Sequence, residues 1–490
     1  MQPIWTARLS KRAFLATAAT MFAGASLAAC GGAVAGTPTQ IASSQPSSSQ
    51  RATAAGAVSA SSAAAPSGAT SSPASSTTSS VAKGGAHLTF WTTFDPAATQ
   101  VFQRYVDAFN VEHPDNVVDH VRVDGSWEKI TSAVAGNTAP DLNVSNPNFP
   151  ARYAGQPGGM IAMDPYIHAP LPAGVPVDEY LPNPWNLYTW KGKQYGVPLQ
   201  AAIKNFIYNK EIFDEAGVGE LPTTWTAFVD LGNKVVQRNG NSLTRSFTDM
   251  ASLNRPWHEF GYRNNMKMVS DDLTKSMANS DESIATVQFL LDLSNKYNLQ
   301  PSTAAYNKQA VDFSSGHSVL HFGGFQDTTG LLKGNPKLQL GTLLFPYGPT
   351  PAKVTGIAGE AISIWGSSKD PAKAFQFVRY MCYEKNLQWC KDYFIISVLK
   401  KNLDDPFFKS DLLAPVVQTL ATHSYEKWMY DLGNNFPHSP ELLDSLNAGL
   451  DATAKGTKTA QVAMNEVAAI QTALLQKYAG ELQQFLHGTA

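Results

Sequence analysis

Residues 86–144 read AHLTFWTTFDPAATQVFQRYVDAFNVEHPDNVVDHVRVDGSWEKITSAVAGNTAPDLNV. His87 to Phe94 is a short aromatic and β-branched run, which predicts a strand. Asp95-Pro96 then opens a helix, with Asp as the cap and Pro in the first turn. Val101, Tyr105 and Phe109 recur every fourth residue and share one face of that helix. His113-Pro114 ends it. Val117 to Val123 reads as a second strand, Ser126 to Gly136 as a second helix, and Asp141 to Val144 as a third short strand. Strand, helix, strand, helix, strand implies a parallel α/β sheet.

Downstream the chain is helix-rich. Thr224 caps a segment carrying Trp225, Phe228 and Val235, and Ser280 caps one with Ile284, Val287 and Leu291. Asp370-Pro371 opens another, with Phe375 and Val378. Val467, Ile470 and Leu474 are expected on one face of a late helix. Ser318–Phe322 and Gly356–Trp365 read as strands.

Upstream the composition changes. From Gly31 to Gly85 the chain is almost wholly Ser, Ala, Thr, Gly and Pro. Such a segment has too little apolar surface to offset its ordering entropy, so 31–85 reads as a disordered tether. Residues 1–30 read as a lipoprotein signal peptide. Arg8, Lys11 and Arg12 precede an apolar run from Ala13 to Ala29. The run ends in Leu27-Ala28-Ala29-Cys30, which resembles a bacterial lipobox with Cys30 as the lipidation site. Ser10-Lys11-Arg12-Ala13-Phe14-Leu15 is similar to a twin-arginine export motif, with Lys in the first arginine place, and leaves the export route open. Two acyl chains on Cys30 suffice for stable anchoring. The expected location is the outer face of the bacterial cytoplasmic membrane.

The chain has 490 residues, 43% of them hydrophobic, and a net charge of −2. That length suits two or three domains. The charge argues against a nucleic-acid partner. The three cysteines cannot form a disulfide framework. Cys382 and Cys390 would lie about 12 Å apart along one continuous helix, beyond disulfide reach. A break near Glu384 would allow pairing; two buried thiols are the simpler expectation.

No catalytic signature is present: no G-x-S-x-G, no P-loop and no H-E-x-x-H. His258-Glu259 is followed by Phe260-Gly261-Tyr262, without a second metal ligand. No catalytic residue, metal or cofactor is expected. In open α/β sheets, ligands bind beyond the carboxyl ends of the strands. That rule selects Trp91, Phe94 and Asp95 after strand one, Asp124 and Trp127 after strand two, and Asn146, Asn148 and Phe149 after strand three. Flat aromatic surface with carboxylates and amides suits a sugar, which has C–H faces and a rim of hydroxyls. Trp225 and Tyr208 read as structural.

Several blocks then carry a resemblance. Leu88-Thr89-Phe90-Trp91 leads into a helix ending Glu112-His113-Pro114. Gly136-Asn137-Thr138-Ala139-Pro140-Asp141-Leu142 and Gly159-Met160-Ile161-Ala162-Met163-Asp164-Pro165-Tyr166 follow. Next come Gly192-Lys193-Gln194-Tyr195-Gly196-Val197-Pro198, Tyr208-Asn209-Lys210-Glu211, and Pro222-Thr223-Thr224-Trp225. Phe313-Ser314-Ser315-Gly316-His317 and Gly356-Ile357-Ala358-Gly359-Glu360 complete the series. Over residues 87–485 the chain resembles the family 1 extracellular solute-binding proteins, the maltose-binding-protein-like receptors of ABC importers. His317 stands where the family usually has another basic residue.

The resemblance implies an α/β, two-lobed, periplasmic-binding-protein-like (type II) fold with a hinge and an interlobe cleft. It places one lobe at 86–203 and 324–356, and the other at 204–323 and 357–490. It adds Gln200 and Lys204 at the hinge, the turn Gly323-Gly324-Phe325-Gln326 with Phe325 for the family's Trp, the strand lip Gly359-Glu360, and Trp257 and Trp428 on the second lobe. The implied partners are a mono- or oligosaccharide, ABC permease transmembrane subunits and, through the lipid anchor, the membrane; a monomer is expected. Arg152, Lys204 and Arg255 leave a glycerol-phosphate-type solute open. A lipid-anchored glycoside hydrolase or a receptor signalling to a membrane sensor are the remaining alternatives.

Overall fold

Along the first strand Leu88, Phe90 and Thr92 are buried and Thr89 and Trp91 are half-buried, so the strand packs one face into a core. The computed structural model describes residues 85–487, apart from Asp95, Gly125, Ser126, 426–435 and Pro437. The expected signal peptide (with Cys30), the tether up to Gly84, Asp95 and Trp428 therefore lie outside the described residues, as does the side chain of Trp127.

The chain begins with β1 (Ala86–Thr92), α1 (Pro96–Glu112), β2 (Asn116–Arg122), α2 (Trp127–Ala135) and β3 (Leu142–Ser145). It continues through β4 (Val197–Ala202), β5 (Asn205–Asn209), α3 (Trp225–Val235), β6 (Gln237–Asn239), β7 (Ser242–Thr248), α4 (Asn254–Tyr262) and α5 (Asp281–Asn295). Then come β8 (Ser318–Gly323), α6 (Asp327–Gly334), β9 (Leu340–Leu343), β10 (Ala358–Ile364), α7 (Pro371–Arg379) and α8 (Asn386–Tyr393). The last long helices are α9 (Ser439–Ala454) and α10 (Ala460–Lys477).

Two five-stranded sheets result, in the orders β2-β1-β3-β10-β4 and β9-β5-β8-β7-β6. In the first, β1 runs parallel to β2 and β3, while β10 is antiparallel to β3 and β4. In the second, β5 is antiparallel to β8 and β9, and β8 is parallel to β7. The sheet pairing corrects the expected lobe boundaries. Residues 340–343, expected in the first lobe, add an edge strand to the second sheet. Residues 358–364, expected in the second, lie inside the first sheet. The cores agree: Ala361, Ile362, Phe377 and Leu399 pack with Phe90, whereas Leu343 and Phe345 pack with Phe206. A short apolar run fits either sheet, so periodicity alone does not assign it.

Helix starts follow the side chains expected to cap them. The Thr224 hydroxyl accepts the Ala227 amide, Ser280 accepts that of Ser283, and Asp370 that of Lys373. Trp225 is buried and stacked on Phe289, ring centres 4.3 Å apart, which makes it structural. On α10 the buried stripe runs through Met464, Val467 and Leu475, and Ile470 is 50% exposed rather than buried. A π-helical turn at Tyr380–Glu384 does break the helix between Cys382 and Cys390, yet both thiols are free and buried. Burial pushes both thiols well above their ordinary pKa, which keeps them unreactive.

Candidate ligand cleft

The register fixes which strand ends meet. The carboxyl ends of β1, β2, β3 and β4 share an edge with the amino end of β10, where Ala358 lies opposite Ala202. Only Ile203 and Lys204 separate β4 from β5, so the two sheets face each other across at most about 11 Å of chain. On the second side Asn205 pairs with Gly323 and Phe206 with Leu343, which brings the ends of β8 and β9 to the same junction. The chain crosses between the lobes at 203–204, again between β9 and β10, and a third time after Leu420 of the first core toward Phe436 of the second.

On the first-lobe lip, Glu360 faces Gln200 in register. The Gln200 side-chain amide donates to Glu360 Oε2 at 2.6 Å, while Gln200 Oε1 accepts the indole N–H of Trp389 at 2.8 Å. Trp389 is fully buried against Phe102, so the relay is anchored in the core. Burial pushes the Glu360 carboxyl above its usual range, against the opposing pull of Gln200 and Lys204. Gly359 permits the close approach: with φ +154° it lies where a Cβ would stand 2.3 Å from the Gln200 carbonyl oxygen.

The second-lobe lip is built on His321. Its Nδ1 bonds Asp249 Oδ2 at 2.5 Å, and its Nε2 lies 3.4 Å from Asp327 Oδ2. Carboxylates on both ring nitrogens favour the doubly protonated ring. Burial opposes that charge, but the two carboxylates outweigh it and carry the His321 pKa up to about 9. The Gly324 amide also donates to Asp327 Oδ2, at 2.8 Å. Lys204 stands between the lips, half-buried. Burial lowers its pKa, with Asp327, Glu259 and Glu360 opposing that shift and Arg255 adding to it.

The expected site residues divide. Gln200, Glu360, Gly359, Gly324 and Lys204 come together around this junction. Asn146 is half-buried at the end of β3, and the nearby Asn148 keeps a buried side-chain oxygen with no partner among the described residues. Trp91 is half-buried and lines an open hollow of about 440 Å³ with Val123, Lys129, Ser132, Ala133 and Thr138. Asp124 is exposed and ion-paired to Arg122, whose Nε donates to the Phe94 carbonyl at 2.8 Å.

Phe149, Phe325 and Trp257 are corrected to structural roles, while Phe94 stays half-buried at the strand end. Phe94 packs on Phe102 and Tyr393. Phe149 is buried against Tyr153 and Trp365. Phe325, expected in a ligand-binding turn, is buried in the first core. Trp257 is fully buried in the second, its indole donating to the Ser283 carbonyl at 3.4 Å. Burying Phe149, Phe325 and Trp257 removes a large apolar area from water, which an exposed position at a ligand would forgo. Sequence reasoning missed Trp389, His321, Asp249 and Asp327. The short spacing from His321 through two glycines to Asp327 was the available signal for the last lip.

Two α/β lobes joined by three crossings, with polar groups gathered at the facing sheet edges, define a hinged solute receptor. The chain belongs to the family of bacterial extracellular solute-binding proteins, whose model matches residues 104–416. It is 29% identical over 225 residues to an arabinooligosaccharide-binding protein of Halalkalibacterium halodurans, covering 43% of this chain and 46% of that one. It is 26% identical over 262 residues to a multiple sugar-binding protein of Streptococcus mutans, covering 50% and 60%. The chain thus spans about half the length of the curated relatives it matches. Among solved structures, the sugar-binding protein MalE of Xanthomonas citri superposes with a TM-score of 0.66 at 17% identity, over 81% of this chain and all (100%) of that one. The cyclic α-maltosyl-1,6-maltose binding protein of Arthrobacter globiformis gives 0.65 at 18% identity, over 80% and 100%. At these identities the superpositions show the shared two-lobed fold.

Proposed function

We propose that this chain captures a carbohydrate, most simply an oligosaccharide, between its lobes and delivers it to an ABC permease, acting as a receptor and not as an enzyme. In this reading it is exported and held on the outer face of the membrane through lipidated Cys30. The observation that carries the reading is the Trp389–Gln200–Glu360 relay on the lip of the junction. It presents a carboxyl group held in place by a fully buried ring, suited to accept a sugar hydroxyl. The buried, unpartnered oxygen of Asn148 on the same edge supports it, as a further acceptor for a hydroxyl proton. The names of the sequence relatives point the same way.

The balance of charge bears on the solute. Asp327, Glu259 and Glu360 act on Lys204 against Arg255, and the charged ring of His321 is already engaged by Asp249 and Asp327. A phosphorylated solute would meet carboxylates, which disfavours the glycerol-phosphate reading relative to a neutral sugar. Closure follows because a solute touching both lips gains contacts that the open form lacks. A micromolar Kd corresponds to about −8 kcal/mol.

The test is a thermal-shift screen of the purified full chain against arabino- and malto-oligosaccharides, monosaccharides and glycerol phosphodiesters. A ligand that binds only the native state raises the melting temperature. A rise with one neutral sugar class and no product on long incubation supports the receptor. Product formation would favour a hydrolase, and a response confined to phosphorylated compounds would overturn the sugar assignment.

A further inference from the structure

On the first lobe, the short strands Thr189–Trp190 and Lys193–Gln194 pair through a two-residue turn at Lys191-Gly192. Both turn residues have positive φ, +47° at Lys191 and +73° at Gly192, as a type I′ hairpin turn requires. Asn-Gly is the pair such a turn favours, and a lysine in the left-handed region is uncommon. Nothing in the turn itself therefore selects Lys191. The hairpin is held firmly. The buried Gln194 donates its backbone amide to Asp164 Oδ2 at 3.1 Å and its side-chain amide to the Gly196 carbonyl at 2.8 Å. Trp190 packs on the first-lobe cluster of Phe149, Tyr153 and Trp365. The Lys191 ammonium stands 5.8 Å from the Trp190 ring and donates to the Gln484 carbonyl at 3.4 Å.

Gln484 belongs to the other lobe. It lies on α11 (Ala479–His487), whose Leu482 is 2% exposed in the second core. A clamp at the start of α9 fixes the same helix. His438 Nε2 lies 3.0 Å from Glu481 of α11 and Nδ1 3.2 Å from Glu441 of α9, and its ring stacks on Tyr478 with centres 3.3 Å apart. A helix running to His487 leaves the carbonyls of residues 484–487 without an intrahelical amide. A lysine there supplies a donor and complements the helix dipole. We infer that α11 is a strap between the lobes: Lys191 takes its open carbonyl end and limits how far the lobes turn about the crossings. Neither Lys191 nor Gln484 lies on a crossing, so the contact adds a restraint that the hinge itself does not provide. The inference needs only the two-lobed fold and not the identity of the solute.

The spread of lobe positions is readable without a sugar. Val111→Cys on α1 and Val462→Cys on α10, at positions 83% and 48% exposed, place spin labels on the two lobes. Cys30→Ser removes the competing thiol, and Cys382 and Cys390 are buried. Distance distributions are recorded by double electron–electron resonance on the otherwise full chain. Lys191→Asn removes the ammonium and installs the residue that the turn favours, so the hairpin is kept; an unchanged unfolding midpoint checks this. The expected result is a main interlobe distance in the native chain and, in Lys191→Asn, a population outside that peak raised about two- to fivefold. Lys191→Arg keeps a cation in reach of the carbonyl and is expected to restore the native distribution. Superimposable distributions in the native chain and Lys191→Asn would overturn the inference, as would a Lys191→Arg distribution as broad as that of Lys191→Asn.

Discussion

The indole N–H of Trp389 has one partner, the side-chain oxygen of Gln200. Trp389→Phe keeps most of the packing and leaves that oxygen buried without a donor, at a cost of about 1–3 kcal/mol. Gln200 is then free to turn, and Glu360 loses its fixed partner. The expected outcome is a chain that still unfolds cooperatively, with sugar affinity about tenfold weaker by calorimetry. His321 offers a second test. Its pKa is about 9 in the fold, against about 6.5 in an unfolded chain. Its contribution is therefore complete below about pH 6.5 and is lost as pH rises through 9. The amount is on the order of 3 kcal/mol. Between pH 7.5 and 9.5 the urea midpoint should fall, and His321→Asn should flatten that fall. Single residues were only partly legible in the sequence. Glu360 was reachable through the strand-lip motif and Gln200 through the hinge block that follows Tyr195-Gly196-Val197-Pro198. An aromatic at a strand end reads alike whether it stacks on a ligand or fills a core, which is why Phe149, Phe325 and Trp257 were misplaced.

Among the elements, starts were legible because capping is local chemistry. Thr224, Ser280 and Asp370 each satisfy an amide three residues on. Thr224→Ala is expected to cost about 1 kcal/mol, read as a lower urea midpoint with sugar affinity unchanged, since α3 packs in the second core away from the lips. The strand runs 318–322 and 356–365 were also legible. Which sheet each strand joins was not. Pairing of 358–364 with β3 and β4, and of 340–343 with β5, is decided by contacts more than a hundred residues away in sequence. The helix face at Ile470 failed for a related reason: Val467 and Leu475 already fill the stripe that α10 buries.

The whole molecule works through its crossings. Two residues separate β4 from β5, so a small rotation at Lys204 moves one sheet edge against the other. Both lips carry polar groups held in place: fully buried Trp389 stands behind Gln200 and Glu360, and half-buried Asp249 behind His321. Preorganised lips of this kind lower the ordering cost of binding. A bound sugar should therefore close the lobes, read as a smaller radius of gyration in small-angle scattering when the sugar is added.

Titration of the sugar class that raises the melting temperature, into the native chain and into Glu360→Ala, tests the cleft most directly. The expected result is at least a tenfold weaker Kd in the variant with its unfolding midpoint retained. Equal affinity in both proteins, with both folded, would place the solute somewhere other than the junction of the two sheets.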